Sequence, residues 1–163
     1  MTVMGLSVAL AMILSFVESQ VPPLVAIPGV KLGLANIAVV FALYKLGWKE
    51  AAMISLIRVF LVTLLFGNLG LIWYSAAGAV LSLAGMVLLK KTNRFSELGV
   101  SAAGGVLHNV GQILVASVVM ETDKLSYYLP ILIVVGVATG LGIGLLAGIL
   151  VRRIPLKGLD VED

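Results

Sequence analysis

The residues with the most chemical capacity in this chain are those an apolar sequence should exclude. Arg58 stands near the middle of an apolar run from Ala51 to Phe66. An arginine cannot shed its proton. In hydrocarbon it must pair with an anion, face a polar interior or distort the bilayer. Two partners suit it, the carboxylate of Glu18 and an anionic ligand. A second concentration is Ser101-Ala-Ala-Gly-Gly-Val-Leu-His108-Asn109-Val-Gly-Gln112. At helical spacing Ser101, Gly104 or Gly105, His108 and Gln112 fall on one face, with Asn109 at its edge. Glycines clear space there and the long polar groups project into it, as the wall of a binding pocket would. An interhelical hydrogen bond is the alternative role for His108. Asn36 and Asn68 add amides, and Glu18 and Lys31 add charges, near helix ends on one side.

The elements that position these groups are apolar segments long enough, or nearly so, to cross roughly 30 Å of hydrocarbon. Six are legible: Thr2 to Val17, Leu32 to Leu46, Ala51 to Phe66, Leu69 to Leu89, Gly99 to Met120 and Tyr127 to Val151. Of 163 residues, 61% are hydrophobic and 12% charged, with a mean hydropathy of +1.16. A soluble domain carries about 25% charge. No alternation of apolar and polar residues suggests barrel strands. The expectation is therefore an all-α membrane protein: a compact bundle of about six transmembrane helices over residues 1–155, with a short cytoplasmic tail at 156–163.

Charge sets the expected orientation. Lys45, Lys49, Lys90, Lys91, Arg94, Arg152, Arg153 and Lys157 all fall on one side if the six segments alternate. The positive-inside rule puts that side, and with it both termini, in the cytoplasm. In a prokaryote this is the plasma membrane. A pI near 9.3 is then a consequence of topology rather than a sign of nucleic-acid binding. Glu18, Lys31, Asn36, Asn68 and Gln112 lie in the outer half, above Arg58, His108 and Asn109. Together they describe a cavity opening outward.

The segment from Glu18 to Lys31 is apolar at Leu24 to Ile27 yet interrupted by Pro22, Pro23 and Pro28. Proline forbids a regular helix there. Broken backbone at membrane depth needs protein or a wet cavity around it. A lid over the bundle is one reading, and a loop on the headgroups is the other. Small residues supply a further pattern. Gly136, Gly140, Gly144 and Gly148 recur every four positions, a spacing that lets helix backbones approach closely. Their face packs either within the bundle or against another protein. Gly5, Ala9 and Ala11 offer a lighter version on the first helix, with the same two readings.

Several chemistries have no residues to perform them. There is no cysteine and one histidine, whereas a metal site needs three or four ligands. No metal or cofactor is expected. No phosphate-binding glycine loop ending in Lys-Ser/Thr is present, so ATP hydrolysis would fall to other subunits. No paired carboxylates or triad are spaced for catalysis.

Two motifs carry a resemblance. Ile27-Pro-Gly-Val-Lys-Leu-Gly-Leu-Ala-Asn36 and Gly104-Gly-Val-Leu-His-Asn-Val-Gly-Gln112 resemble the Gx transporter family, labelled heptaprenyl diphosphate synthase component I. The similarity runs from about Met4 to Pro155. In size and segment count the chain is also similar to the substrate-binding S components of energy-coupling factor transporters. That likeness implies a non-enzymatic micronutrient-capturing subunit. It would work with a transmembrane coupling subunit and two cytoplasmic ATPases. It also implies a gate at 18–31 and contact with the coupling subunit through Gly5, Ala9 and Ala11. Glu18, Lys31, Asn36, Arg58, Asn68, His108, Asn109 and Gln112 are the expected substrate contacts, and the substrate is small and anionic or amphipathic. The second reading is a membrane accessory subunit of a prenyl diphosphate synthase. The chain itself lacks the paired aspartates such synthases use for magnesium diphosphate.

Overall fold

Helix ends follow the local signals. Ser96 caps the fifth helix in extended conformation, its hydroxyl accepting from the Gly99 amide at 3.4 Å. Pro130 stands in the first turn of the sixth helix, where its missing amide hydrogen costs nothing. Lys90 and Lys91, and Arg152 and Arg153, close the fourth and sixth helices with positive charge against the carbonyl end. The computed structural model describes residues 2–20, 33–66, 72–121 and 123–155. Within them lie α1 (Thr2–Gln20), α2 (Asn36–Lys45), α3 (Trp48–Phe66), α4 (Ile72–Lys91), α5 (Glu97–Val119) and α6 (Leu129–Arg153). A 3₁₀ turn, Asp123–Tyr128, leads into α6. Among the described residues there is no strand.

The all-helical expectation holds. Among the described residues four helical stretches are long and apolar enough to cross a membrane: Val3–Gln20, Ile72–Lys91, Glu97–Val119 and Lys124–Arg153. This is a multi-pass membrane protein. The third helix has 19 residues but carries Lys49, Glu50 and Arg58. The second departs from expectation. The apolar run from Leu32 to Leu46 contains a helix of only 10 residues, because the chain at Gly33 has φ +75° and turns before Asn36. At 1.5 Å per residue, α2 spans about 15 Å, half of a hydrocarbon core.

That short helix is the centre of the molecule. Ile37 through Leu43 are all buried, so α2 is enclosed on every side. Around it pack Ala11 of α1, Ala51 and Ile54 of α3, Met86 of α4, Val100 of α5 and Ile143 and Ala147 of α6. The periphery is inverted relative to a soluble protein. Leu6, Leu56, Phe60, Leu88, Val118 and Val134 are all more than half exposed. In water such a belt would drive association; in a bilayer it is the natural outer surface.

The α4–α5–α6 side is held by glycine. A Cβ at Gly140 would lie 2.6 Å from the Ser101 carbonyl oxygen, and one at Gly144 would lie 2.9 Å from the Leu98 Cα. A Cβ on Gly105 would overlap the Gly136 carbonyl. The stripe from Gly136 to Gly148 is buried, which settles its place: it packs inside the bundle, against α5.

Candidate functional site

Depth brings several polar residues to one level. The end of α2 and the starts of α3 and α5 share the lysine-rich end of the bundle. Counting from there at 1.5 Å per residue puts Asn36, Arg58 and His108 each at about 15 Å, with Asn109 just beyond. Asn36, the first residue of a ten-residue helix, therefore stands in the middle layer rather than at the expected outer end. Gln112 lies about a turn further out. Lys31 and Asn68 fall outside the described residues, as does the expected lid from Val21 onward.

One polar group is built where α1, α2 and α3 meet. Glu18, near the end of α1, accepts a hydrogen bond through Oε1 from the Gly33 amide. Gly33 needs its positive φ to make the turn. The space where its side chain would stand is taken by the Asn36 amide, whose Nδ2 would lie 3.1 Å from a Cβ there. Glu18 and Asn36 thus converge on one glycine. Arg58 of α3 is 8% exposed. Among the described residues no carboxylate comes within 4.0 Å of its guanidinium. Glu18 is the acid whose charge acts on it from further away. Ser15 and Ser55, buried one turn before Glu18 and Arg58, extend the polar lining of α1 and α3.

The fifth helix divides its polar residues between two neighbours. His108 and Gln112 lie against α4: a Cβ on Gly78 would stand 3.0 Å from both His108 Cε1 and Gln112 Cγ. Gly104 faces the same way, against Met86. Asn109 turns to the opposite side, where its Nδ2 donates to the Leu132 carbonyl of α6 at 2.8 Å. Ser101 and Gly105 share that side. The single face expected from spacing is therefore two faces, because α5 is sandwiched between α4 and α6. The structure brings Glu18 and Asn36 together at Gly33, with Arg58 within reach of the Glu18 charge, and His108 with Gln112 together against Gly78. The fourth helix, which packs against both α3 and α5, connects them.

Along residues 7–150 the sequence matches the family model described as heptaprenyl diphosphate synthase component I. The chain belongs to that family. No curated protein and no solved structure matches it. The match takes in both polar groups and nearly all of the bundle.

What a component I chain can do at this site follows from its donors. A buried guanidinium offers a planar, permanent cation to an oxyanion. The Asn36 and Gln112 amides supply donors and acceptors around it. Among the described residues no three His, Cys, Asp or Glu side chains cluster to hold a metal ion. Sequence reasoning missed the Gly33 amide, Ser15, Ser55 and Gly78. The Ser7-Ala11-Ser15 spacing was the available signal for the inner face of α1. The small-residue run Ser75 to Ala79 was the signal for the surface that receives His108. The small residues of α1 divide in the same way. Gly5 and Ala9 are exposed, with nothing within 4 Å of a Cβ placed on Gly5, whereas Ala11 is 0% exposed. Ala11 belongs to the core, and only Gly5 and Ala9 remain available to a partner.

Proposed function

We propose that this chain is the substrate-binding membrane component of an energy-coupling-factor-type importer in a prokaryotic plasma membrane. It takes a small anionic or amphipathic molecule from outside and relies on a separate coupling subunit and two cytoplasmic ATPases to move it inward. Both termini and the lysine-rich end face the cytoplasm. The observation that carries this reading is Arg58: a permanent cation, 8% exposed, at mid-depth, with no described carboxylate within 4.0 Å. Burial of an uncompensated charge is costly. An anionic ligand meeting the guanidinium would offset that cost, with Asn36 and Glu18 shaping one side and His108 and Gln112 the other. Lys31 and Asn68 are offered as further contacts from the outer loops. Asn109 is assigned to holding α6, and Gly5 and Ala9 to the coupling subunit.

The test is native mass spectrometry of the protein purified in mild detergent, alongside identification of the subunits that copurify with it. A bound small anion is expected on the wild type and absent from Arg58→Gln, which keeps its thermal unfolding profile. A coupling subunit and ATPase pair are expected as partners. A ligand retained by Arg58→Gln overturns the site. Copurification with a soluble prenyl diphosphate synthase and no ATPase overturns the importer reading.

A further inference from the structure

A cavity lies at the opposite end from the Glu18 cluster. It is an open cleft of about 580 Å³ where the end of α2, the start of α3 and the end of α4 meet. That volume is in the range of small-ligand pockets. Its apolar wall is Leu43, Leu46 and Val87, and its charged groups are Lys49, Lys90, Lys91 and Glu50. Three lysines against one glutamate leave it net positive. The first turn of α3, Trp48 to Glu50, lines it as well. The three lysines are not equivalent. Lys90 is held in place, its Nζ donating to the Leu43 carbonyl at 3.2 Å and lying 5.5 Å from the centre of the Tyr44 ring. Lys49 and Lys91 are exposed, and Lys49 stands 5.8 Å over the Trp48 ring.

We propose that this cavity binds the phosphate headgroup of an anionic membrane lipid. Charge selects the phosphate, and position selects a lipid over a soluble anion. One turn inward from Lys49 and Lys91 are Met53 and Leu88, exposed by 51% and 66%. A headgroup in the cavity therefore leaves its acyl chains against outward-facing apolar side chains of α3 and α4. Trp48, 52% exposed at the mouth, is an amphipathic ring at the interface level. This site is independent of the importer reading, because it shares no residue with the Arg58 group.

Trp48 and Trp73 are the two tryptophans, so Trp73→Phe leaves Trp48 as the reporter. The protein in neutral detergent is titrated with lipid brominated on its acyl chains, either phosphatidylglycerol or phosphatidylcholine. Quenching of Trp48 by the anionic lipid is expected at a concentration about 25-fold lower, from about fivefold for each of the two exposed lysines at a membrane surface. Lys49→Gln with Lys91→Gln should erase the preference while helix content by circular dichroism is unchanged. Inorganic phosphate at the same concentration should not relieve the quenching. Equal quenching by the two lipids overturns the proposal and leaves the cavity to a protein partner. A preference that survives in the double variant also overturns it. Relief by inorganic phosphate shows a free-anion site instead.

Discussion

The two halves of the bundle are assembled on different principles. In α4, α5 and α6, backbone meets backbone: Gly78 and Gly111, Gly105 and Gly136, and Gly140 and Ala102 leave no room for a side chain between the helices. In α1, α2 and α3, side chains do the packing, and polar groups sit among them: Ser7, Ser15, Glu18, Asn36, Ser55, Arg58 and Thr63. Hydrocarbon gives helices no hydrophobic reason to associate, so close backbone contact is what fixes the first half. The second half surrounds a short helix with groups that have more than one possible partner.

The largest test of that contrast is a side chain at Gly105. Gly105→Leu drives carbon into the Gly136 carbonyl, and neither backbone can yield. The expected loss is about 3 kcal/mol or more, read as a collapse of the unfolding midpoint in mixed micelles. Gly142→Leu, on the same helix as the buried stripe but with nothing within 4 Å, should be neutral. Equal damage from both would break the comparison. On the polar side, Arg58→Ala should lower ligand affinity about 100-fold or more, from the 2–5 kcal/mol typical of truncating one side of a buried charge interaction. Its unfolding should change far less than that of Gly105→Leu.

Asn109 and Gln112 sharpen the boundary because they are less than a turn apart on α5. Asn109→Ala removes the bond to Leu132 and should cost about 1 kcal/mol of stability, with ligand affinity retained. Gln112→Ala should show the reverse, and titration calorimetry beside thermal unfolding separates them. The smallest effect belongs to Glu97→Gln. It loses an ion pair to Arg152 at 3.7 Å whose arginine is 71% exposed. About 0.5 kcal/mol or less is expected, vanishing in high salt.

Which parts were legible in sequence follows from the same division. Hydropathy finds long apolar segments, and the four-residue glycine period finds a backbone-contact face, so the α4–α6 side could be read almost whole. The α1–α3 side could not. Hydropathy counts Leu32 through Ala35 as helix, but the positive φ at Gly33 delays α2 to Asn36. That delay takes four residues, about one helical turn, off the outer end of the expected segment and leaves Asn36 at the tip of α2. Spacing also groups residues without saying which neighbour receives them. Asn109 is about 100° around from His108, enough to send one side chain to α6 and the other to α4. Ser7, Ala11 and Gly5, Ala9 are two parallel stripes of similar chemistry. Only packing shows that the first is inside and the second outside.

The ten-residue helix has a consequence for how the chain enters its membrane. A segment that short offers the insertion machinery too little apolar length to be released into lipid alone. Its greasy surface is matched by protein on every side. During synthesis α2 must therefore wait in the company of α1 or arrive together with α3, as one paired insertion event. Ribosome-stalled chains that end at Gly47 should leave α2 unintegrated, and chains long enough to expose α3 (Trp48–Phe66) should integrate the two together.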